Sequence, residues 1–241
     1  MDNRGVAGWA RSLDLLRDLD SDWTEAYSNL TVNPWLSGTL QAKEYQLIAV
    51  GLSAAITHLD GSALRRHIWS ALRAGATQAE ILEVLKMAAI VALHSMTLGA
   101  PILIEEATAA GKTLGSTEEF ATPACDKVKA NGNWNTAWDS IFDLDPSWTD
   151  ALVSAGAGFC TNGILTPKFV ELISIAFDAS ISHMYAPGVR RHMKAALALG
   201  ATPEEIVTVL KLCVSQGADS LYLGVPILAE EAATFTSGPA S

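Results

Sequence analysis

Apolar residues recur along this chain with a helical period. Over residues 41–59, Ile48, Leu52, Ile56 and Leu59 fall at spacings of three and four. Leu64, Ile68, Ala71 and Leu72 carry the pattern on to Gly75. Strict apolar/polar alternation is absent throughout, so no segment reads as a half-buried strand. Start signals agree with the periodicity. Thr77 with Glu80, and Thr202 with Glu205, have the spacing of a capping box, in which hydroxyl and carboxylate satisfy the first unpaired N–H groups of a helix. Pro203 stands at the first helical position after Thr202, and Thr166-Pro167 opens an earlier helix in the same way. The pattern predicts an all-α fold.

The pattern is also written twice. Trp23-Thr24 returns as Trp148-Thr149, an offset of 125 residues, and the same offset carries Trp9 to Trp134 and His58 to His183. It relates Arg65-Arg66-His67 to Arg190-Arg191-His192, Gly75-Ala76-Thr77 to Gly200-Ala201-Thr202, and Glu105-Glu106-Ala107 to Glu230-Glu231-Ala232. A gapless repeat of this length predicts two copies of one supersecondary unit. Residues 108–133, rich in Gly, Thr, Lys and Asn, join them. The expected organisation is a first repeat over 1–110, a linker over 111–133 and a second repeat over 134–241.

Composition narrows the function. With 49% hydrophobic and 17% charged residues the chain can bury a core and is too apolar for disorder. A net charge of -10 without any Lys/Arg cluster disfavours nucleic acid as a partner. Cys125, Cys160 and Cys213 are scattered and form no C-x-x-C, which argues against a disulfide framework, a zinc knuckle or a redox dithiol. Residues 87–104 are apolar enough to suggest a membrane span. His94, Gly99 and Pro101 interrupt them, and the matching stretch carries Gln216 and Asp219, so a buried core helix is the better reading. The N-terminus lacks a secretory h-region. The expectation is a cytoplasmic protein with no membrane partner.

The string Leu-x-x-Gly-Ala-Thr-x-x-Glu-Ile-x-x-Val-Leu-Lys over 197–211, with His192 eight residues before Gly200 and Glu171-Leu172-Ile173 upstream, resembles the carboxymuconolactone decarboxylase family of the AhpD-like helical superfamily. Both halves match. The resemblance implies trimers or hexamers built from two trimers, so a tandem chain would act as a covalently fused dimer and three chains would form a pseudo-hexamer. It also implies a site between helices near subunit contacts, where a glutamate, one or two cysteines and a histidine relay protons. His192 and His67 occupy the position of the family histidine. Glu171 matches the glutamate, but the first repeat has Gln46 there, which cannot exchange a proton. His183 and His58 stand where the first cysteine would fall, and the second cysteine is missing from both copies. Peroxide reduction by a dithiol is therefore disfavoured. Acid–base chemistry by imidazole and carboxylate remains.

The candidate catalytic residues are His183, His192 and Glu171, with His58 and His67; Arg191, Arg66 and Tyr185 are candidates for binding substrate. Each has a structural alternative. The histidines could be packed helix-end residues bonded to backbone, and Glu171 a surface carboxylate favoured by a helix dipole. The arginines could pair with Glu105-Glu106 or Glu230-Glu231, which is the stronger reading for them, and Tyr185 could be an interface or loop residue. Asp178, Tyr185 and Asp219 differ from Ser53, Asp60 and His94 at the matching positions. His58, His67 and His94 have no recognised metal-ligand spacing, so no metal is expected. Cys160 and Cys213 read as inert packing residues, and the tryptophans as anchors of the segment before each core or seals of a subunit contact. The expected function is a cofactor-independent acid–base enzyme of decarboxylase or lyase type, acting on a small unsaturated lactone or keto acid. The alternatives are a non-catalytic ligand-binding or assembly protein with a vestigial pocket and, less favoured, an AhpD-type peroxidase.

Overall fold

The computed structural model describes residues 4–114, 120–156, 159 and 162–237, with side chains from residue 11 to residue 235. Every regular element among them is helical. In chain order these are α1 (Arg4–Leu19), α2 (Ser21–Leu36), α3 (Ala42–Ala54), α4 (Gly61–Arg73), α5 (Gln78–Ile90) and α6 (His94–Ala109). A short helix, α7 (Pro123–Ala130), lies within the joining segment. The second repeat contributes α8 (Asp139–Leu144), α9 (Pro146–Gly156), α10 (Pro167–Ala179), α11 (Ala186–Ala198), α12 (Pro203–Ser215) and α13 (Ala218–Ser237). Helices α3, α4 and α5 begin at 42, 61 and 78, and α10, α11 and α12 begin 125 residues later at 167, 186 and 203.

The start signals do what their chemistry requires. Thr77 and Thr202 each accept the N–H of the glutamate three residues on, and that glutamate accepts the threonine N–H in return. Each of these glutamates also receives a lysine, Lys43 on Glu80 and Lys168 on Glu205, both at 2.8 Å. Helix α3 is shorter than the periodicity predicts. It stops at Ala54, and Ile56 and Leu59 are exposed in the following turn. The turn is closed by Asp60 N–H donating to Ser53 O at 3.0 Å, and the Asp60 side chain caps α4. Leu59 takes a φ of 52°, and its counterpart Met184 a φ of 51°. Non-glycine residues rarely occupy this left-handed region, so the same strained turn is held in both halves.

One core serves both repeats. Helices α3 and α10 cross at its centre, where Leu47, Ile48, Val50, Leu172, Ile173, Ile175 and Phe177 are almost wholly buried. Contact there is close: a Cβ on Gly51 would lie 3.0 Å from Phe177 Cζ and 3.2 Å from Val84 Cγ1. The two halves are related by an approximate two-fold axis. Ser182 Oγ donates to Thr57 Oγ1 at 2.9 Å. These are equivalent positions, and the packing around them is reciprocal, α12 on α3 as α5 on α10, as an isologous two-fold contact requires.

The leading helices are exchanged across that axis. Helices α1 and α2 pack on α13 and α12 of the other repeat, while α8 and α9 pack on α6 and α5. Hydrogen bonds fasten the exchange: Lys211 Nζ donates to Asn33 Oδ1 at 2.9 Å, and Asn162 Nδ2 donates to the buried carboxylate of Glu83. Trp23 and Trp148 are 45% and 43% exposed on these helices, while Trp134 meets Trp138 edge-on at 5.5 Å. The side chain of Trp9 lies outside the described residues.

The apolar stretch 87–104 is not one buried helix, as the sequence suggested. Helix α5 ends at Ile90, a 3-10 turn follows over Val91–Leu93, and α6 starts at His94. Met87 and Ala88 are buried, but Leu98, Ile102 and Leu103 face outward. Spans Gln78–Ala109 and Pro203–Phe235 are long and apolar enough to cross a membrane by length and composition, with 22% of each window buried. Two polar residues within them, His94 and Asp219, turn inward to the sites described next.

Candidate active site

Each repeat builds a site beside its α3- or α10-type helix, and each site borrows residues from the opposite repeat. In the second-repeat site, α10 carries Glu171 and Asp178, seven residues or two turns apart and therefore on one face. Helix α11 brings Arg191 and His192, and the strained turn brings His183 and Tyr185. His94 and Thr97 come from α6 of the first repeat.

The geometry sets the state of His192. Arg191 Nη2 donates to its Nε2 at 2.9 Å, and a guanidinium has no acceptor, so Nε2 is the accepting nitrogen. Nδ1 therefore carries the proton and donates to Glu171 Oε2 at 2.6 Å. His183 lies in a separate group. Its Nε2 is 2.7 Å from His94 Nδ1, and the His94 ring stacks on Tyr185 at 4.1 Å between centroids. The Tyr185 hydroxyl pairs with Thr97 Oγ1 at 3.0 Å.

Between these groups stands Asp178, 1% exposed. His94 Nδ1 is 3.5 Å and His183 Nε2 4.0 Å from its Oδ1, and His192 Nε2 is 3.7 Å from Oδ2. Burial pushes the Asp178 carboxyl up to about 6, with Glu171 adding to the rise against the opposing pull of His192 and Arg191. Burial, reinforced by the neighbouring His183, Arg191 and His192, pushes His94 down to about 3. Burial also lowers His183.

The first-repeat site has the same plan and different chemistry. His67 Nδ1 donates to the Gln46 amide oxygen at 2.9 Å, where the other site has a carboxylate. His58 Nε2 meets Asp219 Oδ2 at 3.0 Å, and Arg66 Nη2 reaches Asp219 Oδ1 at 3.9 Å while lying over the Tyr222 ring. Trp35 stacks parallel on His67. Trp35, Gln46, Arg66, His67, Asp219 and Tyr222 line a cavity of about 350 Å³.

All eight residues singled out in the sequence reach one site or the other. Glu171, His183, His192, Arg191 and Tyr185 gather in the second, and His58, His67 and Arg66 in the first. The arginines correct one expectation. Among the described residues none pairs with Glu105-Glu106 or Glu230-Glu231; Arg66 reaches Asp219 and Arg191 donates to His192 instead. None of His58, His67, His183 and His192 has its side chain bonded to a backbone carbonyl among the described residues. His58, His67 and His94 do not meet, since His94 belongs to the opposite site.

Three charged or imidazole partners stood outside the candidates: Asp178, His94 and Asp219. Asp178 left a signal in a paired change: Ser53 and Ala63 of the first repeat become Asp178 and Gly188. A Cβ on Gly188 would sit 1.9 Å from Asp178 Oδ2, so the larger side chain on α10 requires glycine on α11. Cys125 and Cys213 are buried thiols pushed up to about 11 and about 12, mainly by burial, and suit packing rather than catalysis. Cys160 lies outside the described residues.

A family model described as the carboxymuconolactone decarboxylase family matches residues 21–97 and again 146–222. A crystal structure from Burkholderia xenovorans LB400, provisionally named as a gamma-carboxymuconolactone decarboxylase subunit, superposes with a TM-score of 0.83 at 33% identity. The match covers 94% of this chain and 92% of that one. No curated protein matches the chain.

Two tests follow from the geometry. Gly188→Ala is expected to destabilise the fold by about 1–3 kcal/mol through overpacking, and Asp178→Ser in the same chain to recover at least half of that loss. Urea denaturation of the two single variants and the double variant measures the coupling; additive effects would refute the steric account. The second test concerns His67, which burial and then the charge of Arg66 push down to about 3. The folded state keeps this ring neutral where the unfolded chain takes a proton. The resulting stability is complete above the unfolded value of about 6.5 and is lost as pH falls towards 3. His67→Gln is expected to flatten the decline in urea midpoint between about pH 7 and pH 5; an unchanged slope would count against it.

Proposed function

The chain belongs to the carboxymuconolactone decarboxylase family, and from that premise we propose that it is a lyase in which Glu171 and His192 relay the proton of a decarboxylation. The observation that carries this reading is the 2.6 Å contact between His192 Nδ1 and Glu171 Oε2. A carboxylate there orients the ring and stabilises its protonated form, which an amide at the same register cannot do. The second repeat is thus the catalytic half.

The substrate is a small unsaturated lactone or keto acid. Its carboxylate takes the Arg191 guanidinium, as a planar fork suits a planar acid. That releases Nε2 of His192, which gains a proton from solvent under the influence of Glu171. Loss of carbon dioxide sends the bonding electrons into the conjugated carbonyl of the substrate. His192 returns its proton to the carbon, and the ring is neutral again. Tyr185, paired with Thr97, stands in the neighbouring His94–His183 group and donates to a developing oxyanion. His183 is bonded to His94, which makes His192 the better proton donor of the two. Isomerisation, hydration or retro-aldol cleavage would draw on the same groups, and product analysis separates them.

The first-repeat site supports a second role. Its Gln46 removes the relay but leaves a cavity, so this half binds a ligand without turning it over. For the assembly, both repeats offer the same outward apolar stripe: Leu98, Ile102 and Leu103 on α6, and Leu223, Ile227 and Leu228 on α13. Equivalent stripes on both halves suit a trimer of chains in the cytoplasm.

Glu171→Gln copies the residue that the first repeat already holds. It is expected to lower kcat by about 10²-fold or more on an active unsaturated lactone or keto acid, and His192→Asn by as much as about 10⁴-fold. Full turnover in both variants, with the fold confirmed by circular dichroism, would overturn the relay. Sedimentation is expected to give a trimer of chains; a monomer at micromolar concentration removes the assembly.

A further inference from the structure

The His94–Asp178–His183 group lies beside the relay and takes no part in it. It gathers two imidazole nitrogens and a carboxylate oxygen from three separate elements: α6, α10 and the strained turn. His94 Nδ1 and His183 Nε2 are 2.7 Å apart, His94 Nδ1 and Asp178 Oδ1 3.5 Å, and His183 Nε2 and Asp178 Oδ1 4.0 Å. A triangle with those sides has a centre about 2.0 Å from every corner. This is the bond length of zinc and related ions to histidine nitrogen and carboxylate oxygen.

A second observation concerns the Asp178 carboxylate itself. Asp178 is 1% exposed; the nitrogens facing Oδ1, its oxygen in the triangle, stand beyond ordinary hydrogen-bond length, and Oδ2, which faces His192 Nε2 at 3.7 Å instead, has no hydrogen-bond partner among the described residues. A buried carboxylate left in that condition is costly, and buried charges are normally paired or bound to metal. Gly188 shows that the fold has made room for this carboxylate.

We propose that His94, Asp178 and His183 bind one divalent first-row transition-metal ion. Two histidines and one carboxylate form a ligand set shared by catalytic zinc and non-haem iron centres, and three ligands leave positions open for water or substrate. His94 belongs to the first repeat and the other two to the second, so the ion also ties the halves together. The matching positions of the first-repeat site are Asp219, Ser53 and His58, with a hydroxyl in place of the carboxylate. There a second acid, Asp60, lies near His58 and Asp219, but its Oδ1 is taken by the N–H groups of Ser62 and Ala63 at the start of α4.

The test is titration of the full, chelator-treated chain with Zn²⁺ and with Co²⁺, followed by calorimetry and by visible absorption. The expected result is one ion per chain. His183→Ala and Asp178→Ser, each confirmed as folded, are expected to weaken binding by about 100-fold or more, since loss of even an outer-sphere partner costs about 10- to 100-fold. Ser is the residue that the first repeat carries at this register; should Asp178→Ser fail to fold, His183→Ala decides alone. His58→Ala is expected to bind as the unaltered chain does. Absence of stoichiometric binding, unchanged affinity in His183→Ala, or loss of binding in His58→Ala overturns the site. Glu171→Gln is expected to retain the ion, so the metal site and the proton relay stand or fall separately.

Discussion

The crossing of α3 and α10 is the constraint on which the rest of the molecule depends. At Gly51 there is no side chain, and Phe177 and Val84 occupy the space that one would need. Two helices from different repeats thus share one apolar core rather than each closing its own. A repeat of this kind cannot bury its apolar face alone. Its partner here is the other half of the same chain, and the exchanged leading helices extend that partnership to the periphery. Because α6 and α13 then lie over the opposite repeat, both sites are composite.

Against that shared frame, a few substitutions make two different pockets. Glutamate or glutamine at 171 and 46 decides whether the neighbouring histidine has a partner that can carry charge. Aspartate with glycine at 178 and 188, or serine with alanine at 53 and 63, decides whether a carboxylate can be buried at all. Histidine or aspartate at 94 and 219 decides what the opposite helix presents to it. Each change is local in sequence, yet its effect falls on the other repeat in the last case. The first-repeat site keeps a cavity and has an amide beside its histidine; the second pairs its histidine with a carboxylate and concentrates its polar groups around Asp178.

Much of the frame was legible in the sequence. Capping boxes at Thr77 and Thr202 mark helix starts because the chemistry that satisfies a free N–H is local. The offset of 125 marks equivalent helices for the same reason. The errors fall where local pattern and tertiary contact part company. The apolar rhythm ran on through Ile56 and Leu59, but the hydrogen bond from Asp60 to Ser53 ends α3 at Ala54. The stretch 87–104 looked buried by hydropathy, yet α6 shows its leucines and isoleucine to the surface. His94 could not be placed by spacing, since it reaches His183 only because α6 lies over the opposite repeat. Asp178 could have been found by asking which pairs of positions changed together between the halves.

The covalent fusion explains why such divergence is available to this chain. In a dimer of identical subunits every substitution appears at both sites, so a change that opens one pocket alters the other in step. Here position 94 serves only the second-repeat site and its counterpart 219 only the first. A residue can therefore be chosen for one pocket without imposing it on the other. The shared core limits how far this can go. Any change that shifts α3 against α10 moves both sites, because Glu171 and Asp178 project from one of these helices and Gln46 and Ser53 from the other. Specialisation is thus confined to side chains that face the pockets, and the helices that carry them are held in common.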